Sequence, residues 1–177
     1  MDWENGSMNS KFIKIYPYIP ISVGLAFLFL PSLISGKVIF WGTPSLQFIP
    51  WMATAFDNVL AGHLPLWNPL NGMGAPLLAN YQTAYLYPVN WLLFPLYLIQ
   101  DTPGLAWGYT LLLMVHLFWA GIGMLRLLKS LNIGFLGQAV GSAAYGLGGY
   151  LIARSGFTSM IWSAAWLPWI VLCAGKI

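Results

Sequence analysis

The chain has 177 residues, 59% of them hydrophobic and only 6% charged, with a formal net charge of +3. A water-soluble domain carries about a quarter charged residues to hydrate its surface, and seven basic with four acidic side chains cannot cover this one. The composition therefore excludes an ordinary soluble enzyme, the lack of a basic run excludes a nucleic-acid track, and lipid is the solvent these residues fit.

A bilayer core about 30 Å thick takes roughly 20 apolar helical residues. Residues 1–14, with Asp2, Glu4, Lys11 and Lys14, form a cytoplasmic tail. The first crossing is expected over 15–34, "IYPYIPISVGLAFLFLPSLI". It is long for the apolar part of a cleaved signal peptide, and no small-residue cleavage site follows it, so it reads as a retained anchor.

Residues 35–103 then form one long external loop. Ile49, Met52, Phe56, Val59 and Leu60 recur at three-four spacing, Pro50 suits a first helical turn, and Gly62 suits the residue that ends a helix. This predicts an amphipathic helix of about three turns lying in the membrane plane. The stretch that follows, "GHLPLWNPLNGMGAPLLANYQTAYLYP", carries Pro65, Pro69, Pro76 and Pro88 and cannot be helical throughout. Unpaired backbone in lipid costs on the order of several kcal/mol per group, so such a segment must be shielded by protein or reach water. It is either a packed cap or a site that meets both lipid and water.

The segment 86–99, "LYPVNWLLFPLYLI", decides the topology. If it does not span, Lys11, Lys14, Arg126, Lys129 and Lys176 share one side, and Lys37 and Arg154 the other. If it spans, Lys37, Arg126, Lys129 and Lys176 gather outside, against the positive-inside bias. It is therefore read as interfacial or re-entrant. The remaining crossings are 104–125, 135–153 and 159 onward, which puts the N-terminus inside. The fold class is an all-α polytopic membrane protein: about four transmembrane helices and one long external loop holding an amphipathic interfacial helix and an interfacial or re-entrant aromatic segment. Its parts are the tail 1–14, the first crossing 15–34, the loop 35–103 and the crossings within 104–177. In the third crossing, Gly134, Gly137, Gly141, Ala144 and Gly148 predict a small-residue face for close helix packing. Cys173, the single cysteine, excludes an intrachain disulfide and is expected to be a buried, inert thiol.

Ionisable groups are few enough to name. Asp2 and Glu4 belong to the tail, and Asp101, before "TPG", reads as the cap of the second crossing. Asp57 remains as the one carboxylate for external chemistry; its plainer reading is a solvated residue on the polar side of its helix. No carboxylate pair exists for two-acid glycoside hydrolysis, and His63 and His116 have no metal-ligand spacing. No cofactor and no metal is implied. His116, in mid-crossing, is either a functional ionisable group or a neutral imidazole bonded to a neighbouring helix.

"FWGTPSLQFIPW", "AGHLPLWNPLNGMGAPLLANYQTAYLYPVNW", "LLLMVHLFWAGIGMLRLLKSL", "SAAYGLGGYLIARSG" and "AAWLPWIVL" follow one another as in the amino-terminal part of YfhO-like bacterial membrane proteins, over about Lys37 to Leu172. These resemble the GT-C superfamily of polytopic glycosyltransferases. The resemblance implies a bacterial cytoplasmic-membrane protein with its N-terminus inside. It implies membrane-surface helices in a large first external loop, and transfer of sugar from a polyprenyl-phosphate donor to a cell-envelope acceptor. The family's catalytic aspartate usually precedes a "Q-aromatic-x-P" stretch; here Thr43, Pro44 and Ser45 precede Gln47, Phe48 and Pro50, and no acid carries over. Similar proteins have many more crossings, so the chain reads as the front end of a longer protein or a truncated gene. Under this reading Asp57 is the catalytic base, and Gln47, His63, Trp67, Asn68, Asn80 and Gln82 bind sugar or phosphate. The alternative is a non-catalytic membrane protein or assembly subunit that keeps the fold without the acid. A transporter is a weaker third reading, with only His116 and Arg126 to serve an ion path.

Overall fold

The computed structural model describes residues 16–39 and 42–175, and statements of absence below refer to these. Most of them are helical. The elements are α1 (Ile19–Ile34), α2 (Ile49–Leu60), α3 (Leu93–Ser130), α4 (Phe135–Gly146), α5 (Gly149–Ala153) and α6 (Thr158–Ala174). Two short strands, β1 (Trp67–Asn68) and β2 (Ala75–Pro76), pair antiparallel inside the loop, an element the all-helical expectation lacked. One helix, taken with its entry turn from Pro88 to Ser130, is long and apolar enough to cross a membrane; α1 and α6 are shorter apolar helices.

The chain divides into two compact units. One holds residues up to 31, 114–153 and 161 onward; the other holds 32–113 and 154–160.

In the first unit, α1 buries Ile21, Leu25 and Phe29. The turn Tyr16–Tyr18 before it packs on α4. The close contacts involve glycine. A β-carbon on Gly146 would lie 2.5 Å from Ile21 Cδ1, 2.9 Å from Leu117 O and 3.3 Å from Gly121 Cα. The buried face of α4 is Ala139, Ser142 and Gly146, while Gly134, Gly137 and Ala144 are exposed. The small-residue face is real, but its phase differs from the expected one; only Gly141, close against Leu128, joins it. Alternating small residues run all round this helix, and the spacing could not say which side meets a neighbour. The expected third crossing 135–153 is also two helices, because Leu147 leaves helical geometry (φ −107, ψ 10) within the glycine-rich stretch around 146–149. Two polar groups are closed onto backbone, Tyr145 Oη donating to Ala164 O at 2.9 Å and Trp169 Nε1 to Trp119 O at 3.1 Å, while the buried Trp119 Nε1 and Ser142 Oγ find no partner among the described residues. His116 is buried and stacks on Trp162, ring centroids 3.9 Å apart, which places it within the helix packing. Cys173 is exposed, not buried. It follows Ile170 and Val171, which are exposed on the same apolar helix.

In the second unit, α1 ends in a Schellman closure: Lys37 N–H donates to Ser32 O and Gly36 N–H to Leu33 O, with Gly36 left-handed. Trp107 Nε1 donates to Leu33 O at 3.2 Å and Ile39 N–H to Thr110 Oγ1 at 3.0 Å, fixing the departing chain to α3. A π-turn at Pro44–Phe48 leads into α2, and Ile49 N–H reaches back to Pro44 O. The wide register accommodates Pro50, whose ring would otherwise crowd the carbonyl four residues back. Ile49, Met52 and Phe56 are buried as expected, Val59 is half-buried, and Leu60 is exposed. Gly62 (φ 78) closes α2 in a second Schellman motif, with His63 N–H on Asn58 O and Gly62 N–H on Val59 O.

The aromatic segment 86–99 forms a turn and one short helical arm. After a 3-10 turn at Pro88–Leu92, α3 breaks at Asp101 (φ 55, ψ −142) into arms 93–100 and 102–130. A β-carbon on Gly104 would collide with Leu96 O, and one on Gly108 would lie 2.6 Å from Leu93 and 2.8 Å from Leu96. These pairings run antiparallel, so the short arm folds back along the long one. Asp101 stands at the start of the long arm, and its Oδ1 accepts Thr102 N–H at 2.7 Å and Thr102 Oγ1–H at 3.1 Å, bonds to the next residue and not to the second or third helical N–H of the expected cap. Pro103 then stands in the first turn, where its missing N–H is harmless.

Candidate functional site

Phe56 is the joint between α2 and the short arm of α3. Its ring lies 6.0 Å from Trp91, 5.0 Å from Phe94 and 5.7 Å from Tyr97, and Tyr85 adds a contact of 5.2 Å to Trp91. Aromatic pairs at such separations contribute about 0.5–1.5 kcal/mol beyond burial. Phe56 is 1% exposed, so this joint is closed to solvent. The next residue, Asp57, is exposed, and Tyr97 Oη donates to its Oδ1 at 2.5 Å. One carboxylate oxygen is thus held by a neutral donor, and no second partner among the described residues holds the other.

Tyr97 keeps its proton. Its pKa is raised above the ordinary 10.0, first by burial, then by the hydrogen bond to Asp57 and that carboxylate's charge, with Asp101 adding in the same direction. The dyad is therefore a carboxylate with an oriented neutral donor, able to accept a proton on its free oxygen. Tyr97 is the residue sequence reasoning missed. Its signal was the three-residue spacing of Trp91, Phe94 and Tyr97, which offers one aromatic face to a partner 40 residues away.

The other candidates fall differently. Asn68 is 3% exposed, and its Oδ1 accepts Leu70 N–H at 2.9 Å. Asn80 Oδ1 accepts Gln82 N–H at 3.0 Å, while Asn80 O takes Thr83 Oγ1–H at 2.8 Å. Both asparagines make the loop's own turns. Trp67 lies half open on β1 and covers Gly74, whose φ of 99 leaves no room or geometry for a side chain. Gln82 makes only a long contact, 3.5 Å, from Nε2 to Tyr81 Oη. Gln47 and His63 are exposed. None of Gln47, His63, Asn68, Asn80 and Gln82 hydrogen-bonds to Asp57. Two polar residues missing from the candidate set hold the same loop: buried Asn90 donates Nδ2–H to Ala84 O at 3.0 Å, and buried Thr83 Oγ1 accepts Tyr85 N–H at 3.3 Å.

Among the described residues, no group of three or more His, Cys, Asp or Glu side chains comes together that could hold a metal ion. No family model, curated protein or solved structure matches the chain. The family resemblance therefore rests on the sequence motifs.

Proposed function

We propose that the chain is a multi-pass membrane protein, N-terminus inside, whose extracytoplasmic loop carries a site centred on Asp57. The make-up of the two units supports the alternation of crossings. Tyr18, Arg126 and Phe135 line one cleft, and Ile39, Pro44, Ser155 and Thr158 surround another void. Four alternating crossings would bring together these same sets: the start of α1 with the α3–α4 turn, and the start of the loop with the α5–α6 turn. Exposed apolar side chains on the crossings, among them Phe27, Ile34, Val115, Val140, Leu167 and Ile170, suit a lipid exterior. α1 and α6, with 16 and 17 residues, extend only about 25 Å. Local thinning and flanking aromatic residues would absorb that mismatch.

At the site, the reading that joins the family resemblance to the geometry is sugar transfer from a polyprenyl-phosphate donor. Asp57 takes the proton from the acceptor hydroxyl as that oxygen bonds to the anomeric carbon and the polyprenyl phosphate departs. Tyr97 holds the carboxylate in place and remains protonated. The observation that carries this reading is the Asp57 carboxylate, exposed yet fixed on a buried aromatic joint. General-base assistance is worth about 10²–10⁴ in rate. The chain alone is expected to be inactive; in a longer natural version, in membranes supplied with polyprenyl-phosphate sugars, Asp57→Asn should therefore lower transfer by that factor while expression and detergent stability are unchanged. Wild-type transfer by Asp57→Asn would remove Asp57 from the role.

The second reading, a non-catalytic membrane or assembly protein, is favoured by a different observation. Asn68, Asn80 and Asn90 turn their polar groups onto the loop's own backbone, as a packed cap requires. No turnover by a longer natural version with any polyprenyl-phosphate sugar would select it.

A further inference from the structure

Arg126 and Lys129 sit three residues apart near the end of α3 and so share a helix face. With Tyr18, Leu125, Phe135 and Gln138 they line a cleft of about 380 Å³, within the range of small-ligand sites, about 300–1,000 Å³. The cleft has two characters. Its lining combines the two cations with Tyr18, Phe135 and Leu125. Gln138 is held in place by its Nε2–H bond to Ile133 O, 2.7 Å.

Two features separate this pair from basic residues that only set topology. First, the described residues of this unit include no carboxylate side chain: Asp57 and Asp101 both belong to the other unit. Among the described residues the cations have no acidic partner; Asp2 and Glu4, in the same unit, lie outside them. Second, the turn beside them exposes apolar side chains, with Leu131 62%, Ile133 41%, Phe135 54% and Leu136 67% accessible. A soluble phosphate needs no apolar rim, whereas a lipid presents its phosphate and its first methylenes together. The turn's form is stable without a ligand, since Asn132 (φ 56) closes α3 with Ile133 N–H on Leu128 O and Asn132 N–H on Lys129 O.

We propose that this cleft binds the phosphate of an anionic phospholipid, with Arg126 and Lys129 as its counter-ions. The proposal rests on the membrane placement given above and not on sugar transfer. Basic residues at a membrane surface each raise affinity for anionic lipid about five-fold. The full chain in neutral detergent is titrated with short-chain phosphatidylglycerol and, separately, phosphatidylcholine, with binding read by native mass spectrometry. The wild type should prefer phosphatidylglycerol about 25-fold, the product of two such cations. Arg126→Gln and Lys129→Gln should each lose about five-fold, and the double variant the whole preference. The charge-keeping Arg126→Lys/Lys129→Arg variant should retain it. Arg154→Gln, at a cation on Phe157 in the other unit, should not change it. Equal binding of the two lipids by the wild type, or a preference that survives in the double glutamine variant, would overturn the proposal. Displacement by equimolar inorganic phosphate would replace the lipid with a soluble anion. A preference that emerges only in Asp2→Asn/Glu4→Gln would make the chain's own acids the occupant. A chain that stays monodisperse without detergent would instead defeat the membrane placement.

Discussion

The helices around α4 and the loop between α1 and α3 solve the same problem in opposite ways. In the helical unit the backbone bonds to itself, so the chain needs only small residues where neighbours touch, as at Gly121 and Gly146 against Ile21. Beyond α2 the loop has only a partial internal supply, from its turns and the β1–β2 pair. Its N–H and C=O groups are also met by Asn68, Asn80, Thr83 and Asn90, and its apolar surface is gathered around Phe56 by Tyr85, Trp91, Phe94 and Tyr97. A buried backbone polar group must find a partner, and irregular chain draws part of that supply from side chains. Polar residues in an apolar loop are therefore structural before they are functional, and a carboxylate left at the surface stands out.

The contrast can be broken first in the helices. Gly146→Leu should be the most damaging change, costing about 1–3 kcal/mol or more by overpacking, because its new atoms meet Ile21 and backbone at once. Gly134→Ala, at an open position, should stay within about 0.5 kcal/mol. Thermal unfolding in detergent compares them, and equal midpoints would remove the close-approach argument.

In the loop, Asn90→Leu removes one of the two donors on Ala84 O, the other being Tyr87 N–H, and should cost about 0.5–1.5 kcal/mol. The loss should be local, so hydrogen exchange ought to rise through 80–92 and not in α4. A change spread evenly over both units would deny the loop its separate logic.

Ala84→Gly should do the reverse. Ala84 holds φ 47 without the freedom of glycine. The left-handed penalty of about 1–2 kcal/mol, less the entropy glycine loses on folding, leaves a gain under about 1 kcal/mol. A lower unfolding midpoint in Ala84→Gly would mean that the alanine methyl is packed and needed.

Tyr97→Phe is expected to be the smallest effect on stability, about 0.5 kcal/mol, since its bond lies at an exposed carboxylate. Its signature is pH. With the Tyr97 pKa raised above 10.0 in the folded chain, the stabilisation is complete below 10.0 and declines as pH rises from there through the folded value. Tyr97→Phe should unfold with a shallower pH dependence in that alkaline range. An unchanged slope would deny the raised pKa its place in the Asp57 dyad.

Composition and spacing alone determined several things. The apolar character and the starts and stops of α2 follow from local rules, since each depends on residues within a turn or two of one another. The phase of the α4 contact face, the break at Leu147, the fold-back at Asp101 and the exposure of Cys173 depend on which neighbour each side meets, and a helix with small or apolar residues all round carries no mark of that. The Asp57–Tyr97 bond and the Arg126–Lys129 cleft belong to the same class. Each joins side chains whose meeting is set by packing between distant segments: Phe56 docking on the folded-back arm, and the start of α1 lying on α4. Only the tertiary structure brings those segments together.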